Sequence, residues 1–132
     1  MSACTILKAT ILNHITNRTA WTAPTTFFIA LHTADPGVGG TDDEVIISGY
    51  TRKSVAANAA NWTAPSGGLI ENINNLAWDA ATADWGDITH FSIHTASTGS
   101  AGFVRQPLVA TINILSGGVF QFAPGKLRFS VL

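Results

Sequence analysis

The chain has 132 residues and a net charge of −1; 46% of its residues are hydrophobic and only 11% charged. That length suits one hydrophobic core and is too short for two. Singly scattered Lys and Arg exclude a basic stripe for nucleic acid, one cysteine excludes an intrachain disulfide or a cysteine-based zinc site, and no run of about 18 apolar residues exists to span a membrane.

With so few charges, the polar surface falls to Thr, Asn, Ser and Gly, which suits a protein packed against others. No basic region precedes a long apolar run at the start, so no signal peptide is expected. Cys4, Leu7, Ile11 and Ile15 recur at helical spacing and predict an amphipathic helix over residues 3–16 with Ser2 as N-cap. Residues 26–33 follow as the first strong strand, with Phe27, Ile29 and Leu31 on one face and Phe28 and Ala30 on the other, buried on both sides. Residues 34–44 hold Asp-Pro-Gly and Gly-Gly without periodicity, which marks a surface loop. Residues 44–47 read as a short strand and residues 50–57 as an edge strand. The run 69–78, rich in Asn, admits a bulge.

Residues 80–95 are the organising stretch. Asp84, Gly86 and Asp87 supply turn chemistry, and a strand then starts at Ile88. Along it Thr89, Phe91, Ile93 and Thr95 alternate with Ile88, His90, Ser92 and His94. Trp85 has the area to plug one end of a core. Residues 103–115 are β-rich, with Pro107 keeping that part off a central ladder position. Ser116-Gly117-Gly118 reads as a hairpin connection to residues 119–122. In the final run, 126–132, Leu127, Phe129 and Val131 are expected to face inward. Seven or eight short strands between Gly-rich turns predict a mainly β fold. The expectation is a single antiparallel, jelly-roll-like β-sandwich over residues 25–132, preceded by a short helix within residues 1–17.

The stretch Ala81-Thr82-Ala83-Asp84-Trp85-Gly86-x-Ile88-Thr89-His90-Phe91-x-Ile93 resembles a family of small virion proteins of tailed bacteriophages. These are often labelled tail fibre proteins, and related small proteins serve as capsid decoration or cement proteins. Residues 22–37 fit the same family, while Gly49-Tyr50-Thr51-Arg52 and residues 122–127 match it more loosely. The resemblance implies a virion structural protein made in the bacterial host cytoplasm.

Candidate sites are few. His90 and His94 share a strand face but lie about 13 Å apart at strand rise, too far to share an ion. His32 and His94 end their strands in matching His-Thr-Ala contexts and meet if those strands are neighbours. Asp35, Asp42, Asp43 and Glu44 make the densest acidic loop, a possible calcium binder without EF-hand spacing. Asp84 and Asp87 offer paired carboxylates of the kind a glycosidase needs, but turn formation accounts for both. Cys4 reads as a small core residue, and Trp21, Trp62 and Trp85 as end plugs rather than a sugar-binding surface. No catalytic, cofactor-binding or metal-binding residue is assigned.

The sequence therefore points to a non-enzymatic virion protein without a cofactor. Its small size favours a capsid decoration role, binding the major capsid protein as a homotrimer. The alternative is a tail fibre or tail-tip component that contacts the host receptor through exposed tryptophans and the 34–44 loop.

Overall fold

The computed structural model describes residues 3–131. Its centre is a four-stranded antiparallel sheet in the order β2-β1-β5-β6, with β1 at Thr26–His32, β2 at Lys53–Ala56, β5 at Gly86–His94 and β6 at Val104–Ile114. Two short ribbons complete the β structure. In one, β3 (Ile70–Glu71) pairs with β8 (Arg128–Phe129); in the other, β4 (Leu76–Ala77) pairs with β7 (Gln121–Phe122).

Register explains which face meets the core. Ile29 pairs with Ile93 and Leu31 with Phe91, while Phe27 pairs with Val55 and Ile93 with Val104. Alternation then places these apolar side chains on one face. The ribbons and the segments flanking them supply Trp62, Leu76, Trp78, Phe120, Phe122 and Leu127 to a single cluster with that face. Edge-to-face pairs stitch the layers together, with Phe91 on Phe122 at 5.5 Å and Phe27 on Trp62 at 6.0 Å. Such pairs add to area burial because ring edges and faces carry opposite partial charge. The fold is thus mainly antiparallel β around one core. Its second layer is two ribbons rather than a complete sheet.

The reverse face carries Ala30, His32, Ser92 and His94, all fully buried. Burial of β1 on both sides follows the sequence reading; what covers the reverse face is loop, not sheet. Residues 34–43 and the turn at 97–102 lie over it, and the two segments touch closely. A Cβ added to Gly40, whose φ is +71°, would sit 3.0 Å from the Gly102 Cα and 3.1 Å from the Cys4 sulfur. Only glycine permits that approach.

Several local expectations are corrected. Helix α1 runs Thr5–Ile15 with Cys4 at the N-cap position and no side-chain capping bond; Ser2 lies outside the described residues. Only Leu7 of the helix is buried, Ile11 is half-buried, and Ile15 is exposed. The apolar stripe therefore docks at its first half alone. Residues 44–47 form no strand beyond a single bridge from Glu44 to His32. The edge strand begins at Lys53, because Tyr50 and Arg52 turn their side chains to Glu44 instead. Ser116-Gly117-Gly118 makes a tight turn, Gly118 N–H donating to the Leu115 carbonyl, yet β7 pairs with β4 and not with β6. The connection is a crossing between layers, not a hairpin. Val131 is exposed, since the closing strand ends at Phe129. Ile88, although it shares the parity of the histidines, is fully buried within the apolar cluster. The pairing slips next to it: a two-residue step along β5, Ile88 to His90, is matched by a five-residue step along β6, Ile112 back to Pro107. Among the described residues no helix is long and apolar enough to cross a membrane.

Candidate functional site

The histidines do meet, but through a serine. His32 ends β1 and His94 ends β5, with Ser92 between them on the same face. The Ser92 Oγ lies 2.6 Å from His32 Nε2 and 2.7 Å from His94 Nε2. His32 Nδ1 donates to the Asp42 carbonyl at 2.7 Å, and His94 Nδ1 faces the Ser100 carbonyl at 3.2 Å. Burial lowers the pKa of both imidazoles, that of His94 to about 4, with the Arg52 charge adding to the effect. His90 stays outside this chain and contacts the Thr89 hydroxyl at 2.8 Å.

Beside the histidines sits a buried ion pair. Arg52 grips Glu44 with two nitrogens, Nη2 to Oε1 at 2.8 Å and Nε to Oε2 at 2.9 Å. Tyr50 donates its hydroxyl to Glu44 Oε2 at 2.8 Å and accepts the Leu31 N–H at 3.0 Å. Burial opposes ionisation of Glu44, but hydrogen bonds from Arg52 and Tyr50 outweigh it and hold the carboxyl below its ordinary range. Arg52 Nη1 also donates to the Ala96 and Gly99 carbonyls, tying the 97–102 turn to the sheet.

The acidic loop is accordingly divided among structural duties. Asp35 accepts the Gly37 N–H at 2.9 Å and pairs with Arg105. Asp42 offers its backbone to His32, and Glu44 belongs to Arg52. No group of three or more His, Cys, Asp or Glu among the described residues is placed to hold an ion. Asp84 accepts the Ser116 N–H at 2.8 Å, and Asp87 accepts from Asn113 at 2.7 Å across the β5–β6 pair. Both carboxylates thus fasten β5 and its approach to β6 and the turn after it. Cys4 is buried, and that burial raises its thiol pKa. Trp62, Trp78 and Trp85 are buried, while Trp21 is half-buried with its ring 5.8 Å from Phe103.

Two residues escaped the sequence reading. Ser92 carries no motif, and its importance follows only from lying between two strand-end histidines. Asn72 is almost fully buried, donating to the Asn74 and Ala123 carbonyls and accepting the Leu127 N–H at 2.9 Å. An Asn inside an apolar run was the available signal for it.

The surface differs in character from this interior. β6 is an edge of the sheet, and on its outer side Ala3 forms an isolated bridge to Val104. Val109, at the slip in pairing, is completely exposed, and Ile112, Leu115 and Val119 are exposed nearby. No charged residue occurs between Arg105 and Lys126. An adjoining groove of about 500 Å³ is lined by Phe91, Pro107, Leu108, Ile112, Phe120 and Phe122 among others.

Comparison with known proteins decides the family. Residues 2–130 match the model of a family described as Podophage GP4 fiber I protein gp80. The chain belongs to this family. As a member of this fibre family it is a structural protein of the phage virion, in keeping with the resemblance carried by residues 81–93 and 22–37. No curated protein matches it.

Proposed function

We propose that this fibre-family chain is a non-enzymatic tail fibre subunit that works by associating with further copies of itself, as a homotrimer, through β6. The observation that carries the proposal is the uncharged, outward-facing edge of that strand. An edge presents unpaired N–H and C=O groups, and monomeric proteins blunt it with charges, prolines or bulges. Here Pro107 and the irregular pairing protect one end, while the remainder, through Ile114, has no charge at all. Exposed Val109 and Ile112 beside an apolar groove make the edge costly to leave in water. Closure at three requires β6 of one copy to meet a different face of the next, because an odd-numbered ring is built from heterologous contacts.

The non-enzymatic reading is supported by the engagement of Asp84 and Asp87 in backbone and cross-strand bonds. Burial of three tryptophans argues against an aromatic sugar-binding surface built from them. A second reading, decoration of the head by binding the major capsid protein, is favoured by shape. The described residues make one core and no elongated shaft.

Copy number in purified virions separates the two. A quantitative gel showing a few to tens of copies per particle, with antibody label at the tail, is the expected result. Hundreds of copies with label over the head would replace the fibre reading with the decoration reading.

A further inference from the structure

We propose that Ile46 is the knob by which one copy of this chain enters the next, seating in the groove beside β6 of its neighbour. The inference rests on β6 being the assembly edge, and it names the face that β6 meets. It starts from a loop that is braced and yet apolar at its tip. Ile46 is 91% exposed and Ile47 is exposed beside it, while Val45 just before them is buried. A single exposed isoleucine is ordinary on a protein surface, but this one is held out by a fixed backbone. Val45 N–H donates to the Leu31 carbonyl at 3.0 Å, and Tyr50 N–H to the Ile47 carbonyl at 3.1 Å. Glu44 is gripped by Arg52, and the Thr82 hydroxyl donates to the Ser48 carbonyl at 3.0 Å. A side chain displayed on such a support loses little further freedom when it is covered.

Topology keeps the knob away from its own groove. Glu44 bridges to His32 on the side of β1 that also carries β2, because β5 fills the other side. In the order β2-β1-β5-β6, the knob therefore lies toward the edge opposite β6. Two strands, β1 and β5, separate it from the groove of the same chain. The occupant of each groove is thus the knob of a second copy.

Shape and charge support that pairing. The groove, about 500 Å³, reaches Phe91 and Phe122 of the core and runs along Leu108 and Ile112. That volume is within the range of sites that take up apolar groups. Lys126 and Arg128 also line it. Lys126 is exposed with no ion pair among the described residues, and Arg128 has Glu71 at 3.2 Å on the open surface. On the knob side, Asp42 and Asp43 are exposed, and neither is in an ion pair among the described residues. Acidic groups beside the knob and basic groups at the groove orient one copy on the next. Because knob and groove lie on different edges, the contact is heterologous, and a threefold rotation closes it into a ring.

Sedimentation equilibrium of Ile46→Lys tests the contact. The side chain is exposed, so circular dichroism should match the wild type, and the trimer should fall to a monomer. A trimer that survives Ile46→Lys but is broken by Val109→Lys with Ile112→Lys overturns the knob and leaves assembly through β6 standing. A wild type that is monomeric throughout overturns both. A second measurement keeps assembly intact. With Ile46→Cys and Val109→Cys in one chain, a short bis-maleimide should link copies into trimers on a denaturing gel. Neither single variant should link, since Cys4 is buried. Linking by Val109→Cys alone would mean that two β6 edges face each other, and an unlinked double variant would mean that the knob and the groove do not meet. Either result overturns the proposal.

Discussion

Trp85 shows how a single side chain can close one end of this fold. It is 4% exposed and its ring meets Tyr50 edge to face at 5.5 Å. Trp85→Ala should cost about 3–5 kcal/mol, the range for deleting a core aromatic, measured by denaturant titration. Glu44 works differently, through charge. Its partner Arg52 is only 4% exposed at the side chain, so Glu44→Gln would leave a guanidinium buried without its counter-charge. A loss of about 3–5 kcal/mol is expected, and the same titration measures it. The pH profile follows from the same pair. Because the Glu44 carboxyl is held below its ordinary range when folded, its contribution is present above that range and disappears as pH falls through the folded value. Wild-type stability should therefore decline on acidification, and the Glu44→Gln variant should decline less steeply.

At the scale of elements, α1 divides into a docked half and a free half. Leu7→Ala should cost about 2–5 kcal/mol, whereas Ile15→Ala in the isolated protein should stay within about 0.5 kcal/mol. Equal losses at both positions would mean that the whole stripe is packed. The spacing of Cys4, Leu7, Ile11 and Ile15 made the helix legible but not how far it docks. Docking depth depends on the bridge from Ala3 to Val104 and on the loop under Cys4, which are tertiary facts. β1 and β5 were legible for a simpler reason: β1 is a short continuous apolar run and β5 alternates, both between turn signals. Pro107 made legible that part of β6 lies off a central ladder position, yet its slip against β5 was not legible. The two ribbons are the least legible part. Two-residue strands have no period to read, and they hold through Asn72 and aromatic contacts between distant segments. The meeting of His32 and His94 was legible only on condition that their strands are neighbours, and the intervening Ser92 was not legible, because a lone serine in a strand carries no spacing signal.

At the scale of the whole molecule, a polar cluster bonded beneath the loops contrasts with an uncharged, apolar rim, while the indole N–H groups of Trp62, Trp78 and Trp85 lie buried without a partner among the described residues. His32, Ser92 and His94 contact one another and Glu44 pairs with Arg52 beneath the loops, while β6 carries exposed apolar side chains on an uncharged edge. A structural protein of a virion fibre family meets that description if its edge is covered by neighbouring copies. The most direct test is the solution mass of the wild type beside the double variant Val109→Lys, Ile112→Lys, by sedimentation equilibrium over a range of concentrations. Both side chains are exposed, so the folded monomer should tolerate the lysines, and their circular dichroism and melting should match. A wild-type trimer that becomes a monomer in the variant is the expected result. A wild type that stays monomeric at all concentrations, or a trimer untouched by the two lysines, would contradict assembly through β6.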